Sequence, residues 1–287
     1  MMRRLLTVCV LATLVGCDAS AGRVQPSTLS EPTTASSTVI DPRPVLTMGS
    51  WPYAITDYWR PHDLADVYIY PDGTVIRVVL EGADTDAPRS LRAEQFTIDQ
   101  TQLSDVISVA RSAGLNGGGL QPTVPLPPGV QVQDGGATVF TFRDGDIETA
   151  RAVDQLSSDG SYAVGVRLPF VQLLTALSPL CCVPRDDLTV QPLTRWGIVS
   201  VPGQGNEPYP EQEWTGPNLA GLTWVDIGHD VKCAIYVRAD WPLALNERHL
   251  PLIMLNGRVI TRRPLLPHEH DCNDVATTRD LLGLHPD

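Results

Sequence analysis

Apolar and polar residues alternate in short runs that break at glycine-containing turns, and two stretches between them return an apolar residue every third or fourth position. Val67-Tyr68-Ile69-Tyr70 and the run from Thr74 to Leu80 flank Pro71-Asp72-Gly73. β-Branched and aromatic residues on both sides of a turn whose glycine supplies positive φ predict a hairpin. The scheme recurs around Asp144-Gly145, between 137–143 and 146–150, and around Asn256-Gly257, between 252–255 and 258–261. Asn-Gly is the strongest of these signals, because a type I′ turn needs two residues tolerant of positive φ.

Helical spacing appears twice. Asp99 with Gln102 forms a capping-box start, after which Leu103, Val106, Ile107, Ala110 and Ala113 share one face and Gly114 or Gly117 supplies the stop. Pro169 suits a first helical turn, and Phe170, Leu173, Leu174 and Leu177 carry a second helix to about Leu180. The order hairpin, helix, hairpin, helix suggests duplication of architecture with slight residue identity. Further strands are expected at 188–190, 196–201 and 233–238, with a short polar or helical piece over 241–248. Together these elements predict an α+β fold of antiparallel β-hairpins with helices packed on one face.

The N-terminus has a different grammar. Arg3 and Arg4 precede an 11-residue apolar run, 5–15, and small residues follow, which is the anatomy of a signal segment. A bilayer span needs about 20 residues, so this run is too short to be one. Its end, Leu14-Val15-Gly16-Cys17, resembles the lipobox of bacterial lipoproteins, every position fitting. The resemblance implies cleavage after residue 16 and diacylation of the Cys17 thiol; two acyl chains are the regime of stable anchoring. The competing reading is an ordinary secretory peptide cleaved near Ala19 or Ala21. Residues 17–45 are rich in Ser, Thr and Pro and poor in large apolar side chains, as in a disordered tether. Such a coil would average about 30 Å end to end. Behind it, 46–201 is expected to hold the hairpins and helices, 202–217 a Pro/Gly-rich linker, and 218–287 a small β-rich portion of the same or a second domain.

The 287 residues carry 21 basic and 33 acidic side chains, a net charge of -12, which disfavours nucleic acid as a partner. Loss of the signal segment would remove Arg3 and Arg4 and no acid, so the lipid anchor rather than charge is the expected link to the membrane. Lys232 is the only lysine beside twenty arginines, the imprint of a high-GC codon supply.

Beyond Cys9 and Cys17, four cysteines remain: Cys181, Cys182, Cys233 and Cys272. Outside the cytoplasm they favour disulfides over metal sites. The preferred bridge joins Cys233 to Cys272. Adjacent Cys181 and Cys182 can bridge only through a strained eight-membered ring, so free thiols or pairing with the other two stay open.

His268-Glu269-His270-Asp271-Cys272 is the densest run of ligand-type residues. In an extended segment His268 and His270 would share a side, and His229 or His249 could complete a zinc site. The alternative is a polar tail after the Pro264–Pro267 corner, and no metal or cofactor is expected. Asp72-Gly73 and Asp144-Gly145-Asp146 lack the remaining ligands of a calcium loop and read as turns. Gly117-Gly118-Gly119 lacks the spacing of a phosphate loop, and the common hydrolase signatures do not occur. Trp51, Tyr53, Tyr58 and Trp59 cluster after the tether, while Trp196, Trp214, Trp224 and Trp241 are scattered; exposed, they could stack on cell-wall sugars or a protein partner.

The stretches 66–76, 113–115 and 263–272 resemble segments of uncharacterised actinobacterial cell-envelope proteins. The resemblance implies a place at the envelope, with no activity to transfer and no catalytic residues. The expected function is therefore that of a membrane-anchored extracytoplasmic lipoprotein, a binding or assembly module with an envelope protein or cell-wall partner. The alternative is an envelope hydrolase or metal-dependent enzyme built on His268 and His270.

Overall fold

The computed structural model describes residues 43–52, 64–81, 90–130, 136–157, 160, 162–202, 214, 216–228, 230–237, 253–255 and 257–275. All belong to one compact unit, Val39–Asp287. Cys17, most of the expected tether and linker, and the piece at 241–248 lie outside the described residues.

The chain forms β1 (Leu46–Pro52), β2 (Val67–Ile69), β3 (Thr74–Glu81), β4 (Ser90–Thr97), α1 (Gln100–Ser112), β5 (Gly119–Val124), β6 (Gly136–Asp144) and β7 (Ile147–Asp154). It continues with α2 (Leu168–Cys181), β8 (Thr189–Gln191), β9 (Arg195–Pro202), β10 (Val225–Asp226), β11 (Lys232–Val237), β12 (Ile253–Leu255) and β13 (Arg258–Pro264). One sheet has the order β5-β7-β6-β1-β2-β3-β4-β8, the other β10-β11-β9-β13-β12. The fold is α+β and mainly sheet. Neighbouring strands are antiparallel except β5 and β7, which pair in parallel at one edge.

Local chemistry explains the hairpins. Gly73 sits at φ +87° and donates to the Tyr70 carbonyl at 3.0 Å, while Asp72 Oδ1 accepts from Thr74 N–H at 2.9 Å. A Cβ at Gly73 would lie 2.5 Å from the Ile98 carbonyl oxygen, so glycine is needed for space as well as for φ. The α1 start is a full capping box: Asp99 Oδ1 accepts from Gln102 N–H at 2.8 Å, and Gln102 Oε1 accepts from Asp99 N–H at 3.2 Å. Its exit is a Schellman turn, with Gly114 at φ +77°, Gly114 N–H on Arg111 O and Leu115 N–H on Ala110 O.

Both helices cover one face of the larger sheet. Leu46, Met48, Val67, Ile69, Val75, Phe96, Phe140, Phe142 and Val153 meet Leu103, Val106 and Ala110 of α1 and Phe170, Leu173 and Leu177 of α2. The opposite face presents Tyr68, Tyr70, Ile76 and Ala93, against which Leu266 and Leu193 pack from the ends of β13 and β9. The second sheet thus closes on the face that the helices leave open. The start of the folded chain is earlier than the expected boundary at residue 46: Val45 donates to Ile69 O and accepts from Arg143 N–H, backbone bonds that side-chain composition does not signal.

Candidate functional site

The His-Glu-His run lies at the junction of the two sheets. The chain turns at Pro267-His268 rather than extending, which separates the histidines: His268 is buried and His270 is exposed. His268 Nδ1 is 2.9 Å from the Tyr70 hydroxyl, and its ring stands 5.8 Å from those of Tyr68 and Tyr70. Burial pushes the His268 imidazole below its ordinary range, the nearby Glu269 carboxylate opposing this. Burial likewise raises the Tyr68 and Tyr70 hydroxyls above the usual tyrosine range, aided by the Glu269 charge. These groups are held neutral.

Arg263 and Glu269 form an ion pair whose side chains are 2% and 1% exposed. The second carboxylate oxygen accepts from Leu266 N–H at 2.9 Å, and Glu269 N–H returns a bond to Leu266 O at 2.9 Å. Arg195 Nη1 donates to the Glu269 carbonyl at 3.1 Å, and Arg195 Nη2 donates to the His270 carbonyl. Asp271 Oδ1 accepts from Asn273 N–H at 2.7 Å and caps the turn that carries Cys272. Cys272 is bonded to Cys233 of β11, Cα to Cα 5.7 Å, within a cluster of Leu265, Val275, Ile227 and Ile235. Gly197 admits this cover, since a Cβ there would sit 3.3 Å from Leu265 Cδ2. The terminal segment is a clasp that turns Arg263, His268 and Glu269 inward and pairs them, while His270 and Asp271 stay exposed.

The alternative zinc geometry is not assembled by the two histidines, because the turn places them in different environments. Among the described residues no three His, Cys, Asp or Glu side chains are grouped to hold a metal ion; His229 and His249 lie outside them. The acidic turns serve the hairpins: Asp144 takes two hydrogen bonds from Arg111, at 2.9 and 2.8 Å, which hold its carboxyl below the ordinary range.

The scattered tryptophans partly converge. Trp196, Trp214 and Trp224 join Ile198, Ile260 and Tyr236 in a cluster on the second sheet. Trp214 Nε1 donates to Pro217 O at 2.7 Å and Trp224 Nε1 to Leu219 O at 3.1 Å, so these half-buried indoles have their N–H groups satisfied by nearby loop carbonyls. Tyr53, Tyr58, Trp59 and Trp241 lie outside the described residues, as does the side chain of Trp51.

Three arrangements escape the sequence reading. Arg167, 2% exposed, donates to the carbonyls of Tyr162, Pro125, Asp154 and Gln155 at 3.1, 2.9, 2.6 and 3.2 Å, and so binds the approach to α2 to the ends of β5 and β7. Arg77 of β3 and Glu94 of β4 are opposite in register and form a buried pair at 2.5 Å on the helix-covered face. Arg77 Nη1 also reaches Val183 O, at 2.5 Å, just beyond α2. There Cys181 and Cys182, open on sequence grounds, are bonded to each other, Cα to Cα 3.7 Å.

No protein-family model matches this chain, and no curated protein or solved structure shows significant similarity to it.

Proposed function

We propose that the chain is a bacterial lipoprotein, anchored through diacylated Cys17 to the extracytoplasmic face of the cell membrane, and that its folded body is a binding or assembly module of the cell envelope. The observation that carries the reading is the motif Leu14-Val15-Gly16-Cys17 at the end of an arginine-led apolar run. Two features of the body support it. The four cysteines of the described residues are all in disulfides, as suits an oxidising compartment. The ionisable side chains that do converge, Arg263, Glu269, His268, Tyr68 and Tyr70, are buried and engaged with one another or the backbone, an arrangement suited to rigidity rather than to turnover. The acidic net charge disfavours nucleic acid as a partner.

Metabolic labelling with radioactive palmitate tests the anchor. Label is expected in the wild-type protein and not in Cys17→Ser, with the variant released from membranes. Absence of label from the wild type, or a variant that stays membrane-bound, would contradict the proposal.

A further inference from the structure

The two disulfides differ in what they do for the fold. Cys233–Cys272 is buried, 0% and 3% exposed, and spans 39 residues of sequence, so it constrains the unfolded chain. Cys181–Cys182 joins neighbours, so opening it frees no loop and returns almost no chain entropy. Cys182 is exposed, while Cys181 packs partly against the core beneath α2.

The end of α2 is held by other means. Cys182 N–H donates to Ser178 O at 3.0 Å. Val183 O is held by Arg77, itself paired with Glu94. Two residues further on, the Arg185 guanidinium lies 4.0 Å from the Phe96 ring centroid and is forked onto Asp187 at 2.8 and 2.7 Å. Cys181 Sγ stands 3.7 Å from Ser178 O, an acceptor within reach of its thiol hydrogen once the bridge opens. The reduced pair therefore has a place to sit without unwinding the helix.

We infer that Cys181–Cys182 is a surface thiol–disulfide exchange site that takes two electrons from a dithiol reductant while the fold and the Cys233–Cys272 bridge stay intact. A thiolate of the reductant attacks Sγ of Cys182, the exposed residue of the pair; the Cys181–Cys182 bond breaks and its electron pair leaves on Cys181 Sγ, which takes a proton from water. The second thiol of the reductant gives its proton to solvent and attacks its own sulfur in the mixed disulfide. The reductant leaves as a disulfide, and Cys182 Sγ is protonated in turn. The protein gains two electrons and two protons, and the dithiol loses them.

The test uses the full chain purified in the oxidised state and treated with graded dithiothreitol at neutral pH without denaturant. Free thiols are trapped with N-ethylmaleimide and mapped by peptide mass. Cys181 and Cys182 should label at least about tenfold faster than Cys233 and Cys272, as exposure governs exchange, with the near-ultraviolet circular dichroism unchanged. Both bridges opening together, the reverse order, or no opening of the vicinal pair would overturn the inference. A Cys181→Ser, Cys182→Ser double variant gives a second reading. It should fold and melt within about 2 °C of the parent, as a bridge that closes no loop requires; failure to fold, or a large drop in Tm, would make the bridge structural and sink the assignment.

Discussion

The clasp at the junction of the sheets and the exit of α2 are each closed by a disulfide beside a buried arginine–glutamate pair, yet the two places divide the work differently. At the clasp, crosslink and ion pair act on the same segment: Arg263 and Glu269 fix the corner after β13, and Cys272 ties its end to β11. At the helix exit the ion pair holds the backbone through Arg77 and Val183 O, alongside Cys182 N–H on Ser178 O, and the crosslink sits outside these contacts. A disulfide is structural when it closes a long loop in the interior, and this molecule contains both that case and its opposite.

Glu269→Ala should be the most damaging change to this contrast. It leaves Arg263 buried without its carboxylate and strips Leu266 N–H of its acceptor, a loss of roughly 3–5 kcal/mol, read from urea unfolding. Replacing Cys233 and Cys272 together by alanine should cost about 3–4 kcal/mol in the chain-entropy model, read the same way. The double serine variant at 181 and 182 should bring the corresponding loss close to zero.

The clasp carries a pH dependence near neutrality through His268. Burial lowers the His268 imidazole in the folded state, so below about pH 6.5 the unfolded chain takes up the proton first. The contribution is complete above that pH and is lost as pH falls through the lowered folded value. Urea midpoints should decline on acidification in this window, and His268→Gln should flatten the decline; an unchanged slope in the variant would assign it elsewhere. The smallest of these effects lies at the start of α1. Asp99→Ala removes the α1 cap, costing about 1 kcal/mol, and should leave the reduction rate of Cys181–Cys182 unaltered.

What was legible in the sequence was local. The Gly73 turn and the Asp99–Gln102 box are written within a few residues, and both appear in the structure with the bonds their chemistry requires. β1 was not legible, although it lies at the middle of the larger sheet. Leu46–Pro52 contains a glycine and a proline and has no clean alternation, and its strand character comes from pairing with β2 on one side and β6 on the other. β4 was hidden by its charges, since Glu94 reads as a surface residue until Arg77 is found opposite it. The terminal run read as a ligand set or a polar tail because its true partners, Tyr68 and Tyr70, are some 200 residues earlier. One signal was present: Arg262 and Arg263 directly follow the expected strand 258–261, and in the structure that strand runs on through them and buries both.

The pairing of the four cysteines links the folded body to the compartment proposed for it, and it can be read in the cell. Cells are lysed into an excess of alkylating agent, the protein is isolated without reductant, and its peptides are weighed. Cys233 and Cys272 should appear as one crosslinked peptide pair with no alkylated form, and Cys181–Cys182 as an internal bridge or, under reducing stress, as the doubly alkylated peptide. Alkylated Cys233 and Cys272 in unstressed cells would contradict both the structural role of that bridge and the placement of the protein outside the cytoplasm.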